Sequence, residues 1–298
     1  MKRADKTLAA IDAALERDGG KQFRVLLKQA MSEINDAFSA KPDGTRFHLG
    51  ASKIGHECDR AIWFDYRHCT KPKTEARMIR LFNRGHLEEA RFAALLRLIG
   101  IDVKLHDDNG HQFHFDGCGG HFAGSCDGIL TGVPELPGEK VLAEFKTHND
   151  DSFKKLEKFG VKKTKPEHFA QVCVYMKAFG LKNCLYMAVN KNNDALYAEI
   201  LTLEEKIAAL CEERAIMIIS SKDAPEAPAS HSPAYFKCKF CSHYESCHFG
   251  KPVDKNCLTC AYCAPIEGAK FYCYMHYKEI LRKDIFKACE NYEMNRSL

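Results

Sequence analysis

The stretch that decides the fold is residues 140–148, Lys-Val-Leu-Ala-Glu-Phe-Lys-Thr-His. Side chains alternate along a strand, so the apolar residues at positions 141, 143 and 145 share one face and Glu144 and Lys146 share the other. Two charges in an otherwise apolar strand cost several kcal/mol if they are buried without partners. A metal ion and a bound phosphate would supply such partners, so this strand is predicted to carry a catalytic site.

The residues around this strand predict an α/β core. Residues 102–148 have strand character, with turn signals at Asn109-Gly110, Gly119-Gly120 and Pro134–Gly138. The spacing of apolar residues predicts helices on both sides. They cover residues 4–17, 21–39, 75–99, 166–179 and 203–221, a shorter helix passes through Trp63 and Tyr66, and two further strands lie near 183–191 and 194–201. This order is typical of helices packed on a small mixed sheet.

The composition is that of a soluble globular protein. The 298 residues can bury one substantial core plus a small appendage, and 45% of them are hydrophobic and 28% charged. The net charge of +4 is too small to indicate nucleic-acid binding by itself. No apolar run approaches the roughly 20 residues that span a bilayer, and the start lacks the apolar stretch of a signal peptide. Fifteen cysteines without an export signal indicate a cytoplasmic, reducing compartment, where thiolates bind metal rather than form disulfides.

A second carboxylate is predicted on the long helix 75–99. Glu89 lies roughly 40° around this helix from Gly85, inside an apolar stripe. A carboxylate in an apolar face needs a partner, which makes Glu89 a candidate metal ligand. His86, at the edge of the stripe, and Glu88 are the alternatives, and the helical register favours Glu89.

Asp127 and the pair Gln171 and Tyr175 complete the set. Asp127 follows a strand-like run and precedes Gly128, where it can meet Glu144 across a sheet. Gln171 and Tyr175 are four residues apart, so they share one face of a helix. Each short motif is common by chance. Their order along the chain is what makes the set informative.

This order of residues resembles the PD-(D/E)xK nuclease superfamily in its RecB-like exonuclease branch, which includes bacteriophage exonucleases and CRISPR-associated or AddAB-type nuclease domains. The resemblance covers residues 52–276 and implies a restriction-endonuclease-like core. It also implies a metal-dependent DNA nuclease, above all an exonuclease acting on linear DNA in phage recombination, replication or repair.

The resemblance assigns roles to the catalytic residues. It implies that Glu89, Asp127, Glu144 and the backbone carbonyl of Phe145 bind Mg²⁺ or Mn²⁺, which prefer oxygen ligands. His86 is a further candidate ligand for this metal. Lys146 would orient the attacking water or stabilise charge on the phosphate. Gln171 and Tyr175 would contact DNA, and whether one or two metal ions act stays open.

The cysteines around the core sharpen the resemblance. Cys238, Cys241 and Cys247 follow the core in a C-x2-C-x5-C pattern, and three ligands leave a fourth to be found. The resemblance supplies Cys58 for a [4Fe–4S] cluster. Cys69 is an alternative fourth ligand, and the spacing alone also permits zinc.

A second cysteine pattern closes the chain. Cys257-x2-Cys260 followed by Cys273-x2-His276 is typical of a zinc knuckle or ribbon, and Cys263 could replace His276. The pattern resembles a tail found on some bacteriophage nucleases of the same branch. The other cysteines lack pair spacing and are expected to be small core or surface residues: Cys118, Cys126, Cys173, Cys184, Cys211 and Cys289.

A basic stretch between the Glu144 strand and helix 166–179 is expected to bind DNA. Lysines occupy positions 154, 155, 158, 162, 163 and 165, with only Glu157 among them. Lys162 and Lys163 are predicted to contact the phosphate backbone, a contact that would be insensitive to sequence and weakened by salt. The implied partner is DNA, as duplex ends or single strands. A recombination or single-strand-binding protein stays open as a further partner, and no membrane is implied.

The expected domains are an N-terminal helical segment at 1–45, a nuclease core with cluster-binding ends at 46–250, and a zinc-binding tail at 251–298. Two other functions stay open. One is a non-catalytic, metal-stapled DNA-binding or adaptor protein with a decayed nuclease core, and the other is a site-specific restriction-type endonuclease. The intact set of Asp127, Glu144 and Lys146 favours an active enzyme.

Overall fold

The computed structural model describes residues 1–34, 45–71 and 75–298, which fall into two compact units. Each unit is drawn from separate stretches of the chain. The first comprises residues 1–44, 74–115 and 125–209, and the second comprises 45–73, 116–124 and 210–298. The domain boundaries expected at residues 45 and 250 stay predictions.

The helices and strands follow one another in the expected order. The helices are α1 (Asp5–Asp18), α2 (Lys21–Glu33), α3 (Asp59–Tyr66), α4 (Ala76–Leu98), α5 (Asp150–Phe159), α6 (Val161–Thr164), α7 (Pro166–Ala178), α8 (Glu205–Ser220) and α9 (Tyr244–Phe249). The strands are β1 (Leu49–Gly50), β2 (Asp102–Lys104), β3 (His114–Gly117), β4 (Phe122–Ser125), β5 (Gly128–Thr131), β6 (Lys140–His148), β7 (Asn183–Asn190), β8 (Leu196–Thr202), β9 (Cys263–Ile266), β10 (Lys270–Cys273) and β11 (Lys278–Ile280).

Two details differ from the sequence predictions. The second helix, α2, ends at Glu33 with Ile34 already non-helical, and the expected positions 35–39 lie outside the described residues. The basic stretch, for which no helix was predicted, forms the short helices α5 and α6. The Asn149 side chain caps α5 by accepting a hydrogen bond from the Ser152 amide at 2.9 Å.

The first unit is built on a five-stranded mixed sheet in the order β2–β5–β6–β7–β8. Strands β6 and β7 run parallel, and the other neighbours run antiparallel. Val141, Ala143 and Phe145 of β6 face a core that also holds buried residues of α1, α2 and α4. The ring of Phe145 stacks on Phe92 of α4 with centroids 5.0 Å apart. This mixed sheet with its flanking helices confirms the predicted α/β core, a small mixed sheet with helices packed on it.

The second unit holds smaller elements. Most of the three-stranded sheet β1–β4–β3 belongs to it, with β1 parallel to β4. Strands β9, β10 and β11 form an antiparallel sheet in which Cys273 pairs with Cys263. Trp63, Phe64 and Tyr66 of α3 are buried. Among the residues described, no helix is long and apolar enough to cross a membrane.

Candidate active site

Glu144 is the most deeply buried acidic group of the first unit. Its relative exposure is 0%, because β6 lies inside the sheet. Its Oε1 atom accepts a hydrogen bond from Lys146 Nζ, and its Oε2 atom has no hydrogen-bond partner among the described residues. Burial raises the pKa of Glu144 to about 7, the charge of Lys146 opposes this rise, and that of Asp127 adds to it. The site therefore holds a carboxylate oxygen with free coordination capacity.

Asp127 lies in the link between β4 and β5, beside Glu144. Its Oδ2 atom accepts a hydrogen bond from the Phe145 amide at 2.6 Å, which ties the carboxylate to β6. The next residue is Gly128, where an added Cβ would lie only 2.8 Å from the carbonyl oxygen of Lys104. Burial raises the pKa of Asp127, and the charge of Lys146 opposes the rise. Asp127 and Glu144 are thus close enough for their charges to interact, and their role as metal ligands stays a prediction.

Glu89 comes from α4 and faces the same charges. Burial raises its pKa, the hydrogen bond from His86 lowers it, and the charge of Asp127 raises it. His86 Nδ1 lies 3.5 Å from Glu89 Oε1. Glu88 instead pairs with Arg91 at 2.9 Å. Glu88 and Glu89 both line the cavity described below, so the choice of Glu89 as the metal ligand, with His86 beside it, stays a prediction.

Lys146 faces the carboxylates as a hydrogen-bond donor. Its Nζ atom donates to Glu144 and, at 3.3 Å, to the backbone carbonyl of Phe145. Burial alone would lower the pKa of Lys146, but the charges of Glu144 and Asp127 raise it above its usual value. The side chain therefore stays an ammonium group, which can stabilise negative charge but cannot accept a proton.

A cavity of about 320 Å³ opens beside these groups. Its walls come from α4, β6 and the start of α7, and they include Glu89, Phe145, Lys146, His148, Lys165 and His168. In the part of the chain that the structure describes, no three His, Cys, Asp or Glu side chains are arranged to hold a metal ion. The unpaired Oε2 of Glu144 and the all-oxygen donor set nevertheless fit the coordination chemistry of Mg²⁺ or Mn²⁺.

Gln171 and Tyr175 lie on one face of α7, next to the carboxylates. Both side chains are buried, and Gln171 Nε2 donates to Tyr175 Oη at 3.4 Å. Burial raises the pKa of Tyr175, and the nearby charge of Glu144 adds to the rise. Their contact with DNA stays a prediction.

The lysines of the basic stretch have different surroundings. Lys154 forms an ion pair with Asp150 at 2.6 Å, and Lys162 pairs with Glu204. Lys163 Nζ lies 5.0 Å above the centre of the Phe159 ring. Lys165 lines the cavity.

Sequence reasoning missed a chain of buried polar groups beside the cavity. His148 Nε2 and His168 Nδ1 lie 3.0 Å and 2.9 Å from the hydroxyl of Tyr186, and Ser152 Oγ lies 3.0 Å from His148 Nδ1. The available signal was that His148 is two residues beyond Lys146, on the same face of β6. Nothing in the local spacing links it to β7 or α7.

In the second unit, the four cysteines of the predicted cluster line one cavity of about 580 Å³. Cys58 and Cys238 are buried, and burial raises the pKa of both, with the neighbouring thiol group of Cys247 adding to each rise. Burial also raises the pKa of Cys241, helped by the charges of Asp65, Cys58 and Cys238. None of the fifteen cysteines, all of which lie in the described part of the chain, forms a disulfide bond.

The cysteines of the tail also lie close together. Burial raises the pKa of Cys257 to about 11, and the charges of Cys260, Cys289 and Cys273 add to it. His276 Nε2 lies 3.4 Å from Cys289 Sγ. Cys289 is thus a neighbour of the predicted ligands, which its spacing in the sequence did not indicate.

Comparisons with known proteins do not assign a family. No family model matches the chain, and no curated protein matches it. The alkaline exonuclease LHK-Exo from Laribacter hongkongensis is similar at 15% identity and a TM-score of 0.40, over 58% of this chain and 86% of its own. The complex of LHK-Exo with dAMP has 17% sequence identity and a TM-score of 0.41, over 58% of this chain and 86% of its own. The structure of SSO0001 has 16% sequence identity and a TM-score of 0.39, over 74% of this chain and 92% of its own. Likenesses of this size do not establish an activity, so the function rests on the site itself.

Proposed function

We propose that this protein is a metal-dependent DNA nuclease, and specifically an exonuclease that hydrolyses linear DNA in phage recombination, replication or repair. The observation that supports it most is the fully buried Glu144, whose unpaired Oε2 lies in a cluster with Lys146, Asp127 and Glu89. The second carboxylate oxygen of Glu144 is available to a cation, and a phosphodiester is a substrate that a cation and the Lys146 ammonium group would serve together.

Each residue then has a defined task. Glu89, Asp127, Glu144 and the carbonyl of Phe145 would hold Mg²⁺ or Mn²⁺, with His86 next to Glu89. When bound, the cation polarises the phosphate and lowers the pKa of a water molecule. Lys146, whose pKa the neighbouring carboxylates raise, would orient the attacking water or stabilise charge on a phosphate oxygen.

The cysteines would stabilise the second unit through bound metal. We infer that Cys58, Cys238, Cys241 and Cys247 hold an iron–sulfur cluster, because they line one mainly apolar cavity that Cys69 does not line. The tail would hold zinc through Cys257, Cys260 and Cys273. Its fourth ligand is His276, with Cys263 and Cys289 as alternatives, and zinc analysis of His276→Ala and Cys289→Ser proteins distinguishes them.

The test is degradation of end-labelled linear DNA by the full chain with Mg²⁺ or Mn²⁺. Wild-type protein should shorten the labelled DNA progressively. Lys146→Ala should lower the rate of DNA cleavage roughly 100- to 1,000-fold while leaving DNA binding nearly unchanged. Lys177→Ala, an exposed lysine of α7, is the matched control.

Three outcomes contradict the proposal. Wild-type protein that binds DNA but leaves it intact would indicate an adaptor. Discrete fragments from a circular plasmid would indicate a restriction-type endonuclease. Wild-type turnover by Lys146→Ala would remove Lys146 from the catalytic site.

A further inference from the structure

The cavity beside Glu144 has acidic groups on one side and basic groups on the other. Glu89 lies on α4, and Lys165 and His168 lie at the start of α7. Among the described residues, no carboxylate is within ion-pair distance of Lys165, whereas Lys154 and Lys162 are paired with Asp150 and Glu204. Of these three lysines, Lys165 is therefore the one that brings uncompensated positive charge to the cavity.

The ring of His168 is held in place by the buried polar chain. Tyr186 contacts both His168 Nδ1 and His148 Nε2 through a single hydroxyl, which has one proton. It must donate to one histidine and accept from the other. His148 is fixed in turn by Ser152 at its Nδ1 atom.

Only two proton arrangements satisfy this chain. In one of them, Ser152 donates to His148, His148 donates to Tyr186, and Tyr186 donates to His168. The second ring nitrogen of His168, Nε2, then carries a proton and has no hydrogen-bond partner among the residues described. Burial lowers the pKa of His148 to about 4 and also lowers that of His168, helped by the charge of Lys146, so both rings are neutral.

We propose that Lys165 Nζ and His168 Nε2 form a phosphate subsite of the cavity, which takes a phosphate group of the DNA beside the one that Lys146 stabilises. The other arrangement puts the proton on His168 Nδ1 and leaves Nε2 as an acceptor, so a bound phosphate selects the arrangement in which Nε2 donates. That N–H group and the Lys165 ammonium group then both suit a phosphate oxygen. They carry no base-reading group, so the subsite is insensitive to sequence. This inference rests on the proposed nuclease function and specifies which basic residues position its substrate.

The test measures binding of a labelled single-stranded oligonucleotide by fluorescence anisotropy, in Ca²⁺ and over a series of KCl concentrations. Lys165→Gln should raise Kd roughly tenfold and reduce the slope of log K against log salt by about 0.7. His168→Gln should raise Kd and leave the slope unchanged, because it removes a neutral donor. Lys177→Gln, on the same helix, should behave as wild type.

Two further measurements complete the test. Inorganic phosphate should displace the oligonucleotide less effectively from Lys165→Gln and His168→Gln than from wild type, and Lys165→Arg should restore the slope. Thermal melting of each variant checks that it folds. If Lys165→Arg restores the salt slope and Lys165→Gln loses it, Lys165 acts through its charge on the DNA and not through a structural role.

The subsite and the nuclease function fail in different ways. Wild-type Kd, slope and phosphate competition in Lys165→Gln and His168→Gln would overturn the subsite, even if the protein degrades DNA. The expected slope changes in a protein that never degrades DNA would support the anion subsite and overturn the nuclease.

Discussion

The carboxyl group of Glu144 is fully buried with one oxygen unpaired, and such a group lowers folding stability when it is ionised without a cation. Its pKa in the folded protein, about 7, lies above the ordinary 4.5. The folded protein therefore binds this proton more tightly than the unfolded chain does. The stability contributed by Glu144 is thus present below about pH 4.5 and is lost as the pH rises through about 7.

We therefore expect Glu144→Gln to gain stability relative to wild type as the pH rises from 5 to 8 in EDTA. Urea unfolding of both proteins measures this difference. His148 and His168, whose lowered pKa values produce the opposite trend, are present in both proteins, so their effect cancels. Mg²⁺ should restore the stability of the wild-type protein at pH 8 and leave the stability of Glu144→Gln nearly unchanged. A difference that stays constant between pH 5 and pH 8 would contradict this account.

At the residue scale, sequence predicted what depends on local spacing. Glu144 and Lys146 share a face because a strand alternates, and Glu89 faces the cavity because a helix repeats about every 3.6 residues. The link from His148 to His168 joins β6, β7 and α7 through Tyr186. No local period encodes such a contact, so only the folded chain shows it.

Among the helices, α5, α6 and α9 were not predicted from the sequence. Helix α6 has four residues, which is about one turn and too short to show a repeat. This helix gives the side chains of Lys162 and Lys163 different surroundings. Lys162 is paired with Glu204, whereas Lys163 lies over the Phe159 ring.

We expect Lys163→Glu to raise the Kd for DNA severalfold and to flatten its salt dependence, because it removes one phosphate contact and adds a repulsive charge. The double replacement of Lys162 and Lys163 by Glu should act in the same direction, with an added repulsion between residue 162 and Glu204. Lys6→Glu, on the exposed side of α1, is the control for net charge. An unchanged slope in the double variant would show that this stretch does not bind the DNA backbone.

For the whole molecule, the decisive feature is that Cys58 lies in the same cavity as Cys238, Cys241 and Cys247. We expect anaerobically purified Cys58→Ser to lose most of its iron and visible absorption, and to melt at a lower temperature, because one ligand joins distant parts of the second unit. Cys118→Ser, in the same unit and outside this cavity, is the matched control.

Cys69→Ser tests the alternative ligand. Full iron content in Cys58→Ser together with loss in Cys69→Ser would contradict the assignment. If the wild-type protein contains zinc instead of iron, the assignment of the ligands would stand and the identity of the metal would change. Elemental analysis and the visible spectrum distinguish these outcomes.

Sequence could not indicate how the chain is divided. It suggested consecutive segments, because composition and motifs are read in order along the chain. Each compact unit draws on separate stretches of the chain, and the pairing of Leu49 with Phe122 is one example of the long-range contacts within the second unit, while the expected domain boundaries stay predictions. Only the tertiary structure carries that information.

The division of each unit among separate stretches has a consequence for synthesis on the ribosome. The last segment of the first unit ends at residue 209, and the second unit still needs residues 210–298 at that point. Protein chains emerge from the N-terminal end, and their units fold as they become complete. The carboxylate cluster can therefore assemble before Cys238, Cys241 and Cys247 are translated, about 180 residues after Cys58. If Cys58 holds the proposed cluster with these three thiols, metal insertion would follow the translation of Cys247.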